Sequence, residues 1–107
     1  MYAMLRARTR GLRNRFLAFV SDLLRIPSYS LQEEQLAERV EAEMRSLRFE
    51  EVFRDETGNV IGINFGRDAD KTLLLNSHMD TVEVGAEEQW RYPPELAQPV
   101  YPGCGSR

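Results

Sequence analysis

A chain of 107 residues, 42% hydrophobic and 29% charged, has material for one small domain of ordinary composition and no more. Its single cysteine, Cys104, excludes an intrachain disulfide and fits a reducing compartment such as the cytoplasm. The net charge of −3 is unevenly spread: residues 1–27 hold six arginines and one aspartate, or +5, which leaves −8 for the remainder.

Residues 1–12 read as a basic N-terminal segment. Arg6, Arg8 and Arg10 lie in it, Arg13 and Arg15 follow, and no acid interrupts them. The apolar stretch FLAFVSDLL is broken by Asp22 and lacks a small-residue cleavage site, which argues against a secretory signal. An arginine-rich, acid-poor start also has the character of an organellar transit peptide. No aromatic side chains interleave with the arginines to make a stacking platform, so the segment reads as a solvated helix face and loose terminus. Neither a nucleic acid nor a membrane is expected as partner, since no apolar run approaches the roughly 20 residues that span a bilayer.

Residues 11–26 form the first predicted helix. Phe16, Phe19, Val20, Leu23 and Leu24 recur at three- and four-residue spacing and give one apolar stripe. Pro27 ends it, because proline donates no backbone bond and disfavours helix in Ile26. A second helix is predicted from Ser30, where Ser-Leu-Gln-Glu has capping-box form, to about Arg48. Leu36, Val40 and Leu47, helped by Met44, make its apolar stripe. Glu34, Glu38, Glu41, Arg45 and Arg48 face water. The pattern then changes to period two. Residues 50–55 and 60–65 read as antiparallel strands joined by a Gly- and Asn-bearing turn at 56–59. A second turn spans 66–71. Residues 72–77, TLLLNS, read as a third strand buried on both faces, as inside an α/β sheet. The predicted order is α-α-β-β-β-loop, an α/β arrangement with an incomplete sheet that resembles the first part of a larger domain.

The only histidine, His78, follows that third strand, and Asp80 stands two residues on. Residues i and i+2 of an extended segment project to one side. The carboxylate can then accept one ring N–H and fix the tautomer, which leaves the other nitrogen for a metal or for proton transfer. The plain alternative is a histidine that satisfies a strand end beside an aspartate that caps a turn. A His-Asp pair alone does not complete a zinc site, which takes three or four ligands. Cys104 offers no recognisable ligand spacing, and a Cys-His nucleophile pair is disfavoured by its place in a Gly/Pro-rich tail.

The segment LLLNSHMDTVEVG, with QWRYPP behind it, resembles the M20 family of zinc metallopeptidases. That family includes acetylornithine and succinyl-diaminopimelate deacylases, glutamate-releasing carboxypeptidases and aminoacylases. Upstream, the helix, the I-P-S stop, the second helix and the D-x-x-G-N-V hairpin are similar to the family's opening. The resemblance covers roughly Arg13 to Pro94. It implies that residues 13–107 are the truncated N-terminal part of an M20-type catalytic domain. It further implies that His78 is the first zinc ligand and Asp80 the catalytic carboxylate that orients it. Two zinc ions sharing a bridging carboxylate and water would be the cofactor, with a glutamate as general base. The substrate would be an amide bond in a peptide or N-acyl amino acid. The family is often dimeric through a domain that has no counterpart in this sequence.

The family's G-R-G-x-x-D-x-K-G stretch has only a partial counterpart in GCGSR, Gly103 to Arg107, with Cys104 where arginine is expected. The bridging aspartate, the Glu-Glu pair and the later ligands have none. ELAQPVYP after Pro94 departs from the family's pattern. Glu83, Glu87 and Glu88 read as solvated. The expectation is therefore a fragment of a zinc amidohydrolase that is inactive by itself and marginally stable. The alternative is a non-catalytic α/β interaction module with a basic start.

Overall fold

The computed structural model describes residues 1–68, 70–83 and 85–91. Helices α1 (Tyr2–Gly11), α2 (Arg13–Arg25) and α3 (Glu34–Ser46) are followed by strands β1 (Glu51–Arg54) and β2 (Val60–Ile63), and a 3-10 turn spans Glu87–Gln89. Among the described residues this is a mixed α/β arrangement with three helices and a two-stranded antiparallel sheet. It divides into two compact units, Met1–Ile26 with Val84–Arg107 and Pro27–Glu83. Among the described residues no helix is long and apolar enough to cross a membrane.

In the first unit, α1 is helical from Tyr2, so the expected solvated helix face is present and the expected loose terminus is not. Its Ala, Met, Leu and Arg content favours helix, and Thr9 Oγ1 donates back to the Leu5 carbonyl at 2.9 Å. No residue of α1 is buried. Leu12 links α1 to α2 with near-helical angles, φ −89° and ψ −3°. The apolar stripe of α2 is only partly covered: Phe19, Val20 and Leu23 are half-buried, whereas Phe16 and Leu24 are exposed. The helix ends as expected, with Ile26 turned to an extended conformation before Pro27.

In the second unit, α3 begins at Glu34, four residues after the predicted start. Leu31 takes a left-handed φ of 69°, and the Gln32 N–H closes a turn on the Tyr29 carbonyl at 2.8 Å. The capping box is not made, because the Ser30 hydroxyl donates to Asp80 instead; Glu33 precedes the helix without a side-chain cap. Leu36 and Ala37 are the hydrophobic residues buried among those described. Val40 and Met44 are half-buried, and Leu47 is exposed. The helix closes in a Schellman turn. Arg48 sits at φ 59°, its N–H meets the Arg45 carbonyl, and the Phe49 N–H reaches back to Met44.

The hairpin forms as predicted, two residues shorter at each strand, with Glu51 opposite Ile63 and Arg54 opposite Val60. Its turn is organised by Asp55. One carboxylate oxygen accepts from the Thr57 N–H and hydroxyl and the Asn59 N–H; the other accepts from the Asn59 amide. These bonds hold the Asp55 carboxyl down at about 2. Gly58, at φ 92°, supplies the positive φ of the turn. Helix α3 is tied to β1 by Arg54, which pairs with Glu34 and Glu41, and by Arg45, which pairs with Glu41 and donates to the Val52 carbonyl.

The third predicted strand is not present. Residues 72–77 join no sheet, and Leu73, Leu74 and Leu75 are 83%, 83% and 84% exposed. A strand buried on both faces needs a paired neighbour and two covering layers. The two-stranded sheet here supplies neither to this segment.

Candidate functional site

The candidate site lies wholly within the second unit, where segment 78–81 meets segment 28–30. Tyr29 and Thr81 form a parallel bridge, and the Thr81 N–H donates to the Ser28 carbonyl at 2.8 Å. Ser28 is completely buried, and its hydroxyl lies 3.2 Å from that of Thr81. Next along, the Ser30 hydroxyl donates to Asp80 Oδ2 at 3.0 Å. Three residues from the chain's only imidazole, the backbone is thus fixed at Thr81 by contacts that span about half the sequence.

His78 Nδ1 lies 2.9 Å from Asp80 Oδ1 and 3.1 Å from the Asp80 carbonyl oxygen. Both partners can only accept, so Nδ1 is the protonated nitrogen of the neutral ring. Nε2 is left bare, on a side chain that is 83% exposed. The i, i+2 juxtaposition read from the sequence is therefore present. The Asp80 carboxyl is lowered below the ordinary aspartate value, first by the Ser30 hydrogen bond and then by that of His78. It stays an acceptor at neutral pH as a result. A hollow of about 460 Å³ adjoins the pair, lined also by Leu31, Glu33, Glu34 and the Thr57–Asn59 turn.

The pair matches what one imidazole ligand and its orienting carboxylate require. It does not amount to a zinc site: among the described residues no three or more His, Cys, Asp or Glu side chains stand close enough to hold a metal ion. Glu83 and Glu88 are exposed, as expected of solvated side chains, and Glu87 lies in the 3-10 turn. Cys104, the GCGSR stretch and the departures after Pro94 lie outside the described residues. Ser28, Ser30 and Thr81 were not singled out in the sequence as site residues. The signal for them is the alternation Ser28-Tyr29-Ser30, which on an extended backbone puts two hydroxyls on one side.

Comparison with known proteins gives a limited answer. No family model matches the chain, and no solved structure matches it. It is similar to the proteins named "Uncharacterized protein YgeY" of Escherichia coli K12 and of Escherichia coli O157:H7. Each is 34% identical over 77 residues, which are 71% of this chain and 18% of the relative. The chain thus spans less than a fifth of the length of the curated relatives it matches.

Proposed function

We propose that His78 and Asp80 are a zinc ligand and its orienting acid in an amidohydrolase of the M20 kind. Such an enzyme cleaves an amide bond in a peptide or N-acyl amino acid. The observation that carries this reading is the 2.9 Å contact from His78 Nδ1 to Asp80, which leaves Nε2 unbonded on a residue that lines an open hollow. A zinc pair bound there would acidify a water and polarise the amide carbonyl. This chain contributes one ligand position and the carboxylate that holds it in the right tautomer. Zinc takes three or four ligands, so hydrolysis is not assigned to these residues alone. That the chain spans 18% of its relatives' length leaves room for the other ligands in a longer protein of this kind.

Calorimetric titration of the whole chain with zinc tests the incomplete-site reading. No stoichiometric site should be detected at micromolar zinc. A tight one-to-one site lost in His78→Ala would overturn it. The kinship itself is tested in the coding DNA beyond the Arg107 codon. An aspartate followed by x-Lys-Gly should be read in one of the three frames, and its absence from all three sinks the M20 reading.

A second reading rests on α1. All of its residues are exposed, and Arg6, Arg8 and Arg10 make no ion pair among the described residues. This favours a non-catalytic module that binds polyanions through its start. Binding to duplex DNA measured across salt concentrations decides it: a steep salt slope that vanishes when the three arginines are neutralised supports this reading, and no binding at low salt removes it.

A further inference from the structure

The Ser30 hydroxyl does not make the contact that its sequence context suggests. It does not cap α3, which starts at Glu34, and Leu31 behind it is turned left-handed. It reaches instead across 50 positions of sequence to Asp80 Oδ2 at 3.0 Å. The other carboxylate oxygen, Oδ1, faces His78 Nδ1. The two oxygens of Asp80 are therefore divided between two partners. A carboxylate bonded only to the imidazole can rotate about its Cβ–Cγ bond or swing to solvent, and the ring then keeps only the longer 3.1 Å contact to the Asp80 carbonyl oxygen to hold its proton on Nδ1. With Oδ2 pinned, Oδ1 stays aimed at the ring. The Ser28–Thr81 contacts set the register that puts Ser30 beside Asp80: the buried Ser28 accepts the Thr81 N–H through its carbonyl at 2.8 Å.

We propose that Ser30 is a positioning residue for His78, which acts through Asp80 to hold the ring in the Nδ1–H tautomer and keep Nε2 open as the ligand nitrogen. The role of Nε2 as a zinc ligand rests on the proposed function; the tautomer does not, and it is measured without metal. Failure of one is therefore distinguishable from failure of the other.

The chain has a single histidine, so its ring nitrogens give one unambiguous pair of signals in long-range 1H–15N correlation spectra of the whole chain. The native protein should show a protonated Nδ1 and a bare Nε2. Ser30→Ala should raise the Nε2–H fraction about two- to tenfold, the ratio that one net hydrogen bond provides. Ser30→Thr, which retains a hydroxyl, should restore the native shifts. A second comparison guards against misfolding: Ser30→Thr and Ser30→Val differ only by a hydroxyl for a methyl, and the tautomer should follow the hydroxyl. The proposal is overturned if the native ring carries its proton on Nε2. It is equally overturned if Ser30→Ala leaves both shifts unchanged with the hairpin amide signals intact, or if the Thr and Val variants give the same tautomer.

Discussion

Gly62, in β2, packs close against Met44 of α3 and against Phe49 just beyond it, and it gives a sharp test of how the second unit is packed. A Cβ built there would lie 2.7 Å from Phe49 Cδ1, 2.8 Å from Met44 Sδ and 3.0 Å from Phe49 Cε1. Carbon atoms in good contact stand about 3.5–4.0 Å apart, so Gly62→Ala forces both side chains to move. Overpacking of this kind costs about 1–3 kcal/mol. Against it, alanine in a strand interior recovers about 0.5–1 kcal/mol of backbone entropy relative to glycine. The Met44 thioether is flexible and can yield. The Phe49 ring follows directly on the Schellman turn at Arg48 and is the stiffer neighbour. The net is a destabilisation of about 1–2 kcal/mol, a five- to thirtyfold loss of folded population. Amide hydrogen exchange in β1 and β2 reads this without assuming that both units unfold together. Gly66→Ala is the control: a Cβ there has nothing within 4 Å and no positive φ, so it should be neutral or slightly stabilising. Equal hairpin protection in the two variants would refute the packing of α3 on β2 through Gly62.

Arg48→Gly removes a side chain from the left-handed closing position of α3 and should stabilise the second unit by about 1 kcal/mol, read as a higher urea midpoint; a lower midpoint would mean that the turn is not a Schellman closure. Asp55 carries its stabilising bonds as a carboxylate with a folded value of about 2, below the ordinary 3.8. Its contribution is therefore complete above about 4 and lost as the pH falls from 3.8 toward 2. Hairpin signals followed through an acid titration should weaken in that window, and Asp55→Ala should flatten the change. Arg54→Met should loosen β1 from α3, because Glu34 and Glu41 lose a shared partner, and this should show as faster amide exchange in β1 at low salt. No change would mean that these ion pairs are solvent-screened to insignificance. Leu74→Glu should reduce self-association in light scattering and leave hairpin exchange unchanged, since Leu74 is 83% exposed; a loss of hairpin protection would refute that exposure.

The parts of the fold legible in the sequence are those set by local chemistry. The hairpin was readable because Asp55, Thr57, Gly58 and Asn59 carry their turn in their own side chains. The stop at Pro27 was readable because ring geometry decides it. What was not readable depended on distant partners. Ser30 followed by Glu33 looks like a capping box from one side, and nothing local reveals that Asp80 competes for the hydroxyl. The leucines at 73–75 show what their side chains prefer, namely cover on both faces; they do not show whether a neighbouring strand is present to provide it.

The same distinction explains why the His78–Asp80 pair is legible although the strand expected before it is absent. Same-side projection at i and i+2 needs only a locally extended backbone, not a sheet. One parallel bridge at Tyr29 and Thr81, with the hydroxyls of Ser28 and Ser30, is enough to extend residues 78–81 and seat the pair. Residues 72–77 contribute no backbone hydrogen bond to that seating among the described residues. Orientation of the imidazole and cover for the leucines are thus separate problems in this chain. The first is solved within the second unit by three hydroxyl-bearing residues, and so Ser30, rather than the aliphatic run next to His78, is where the geometry of the candidate ligand can be disturbed.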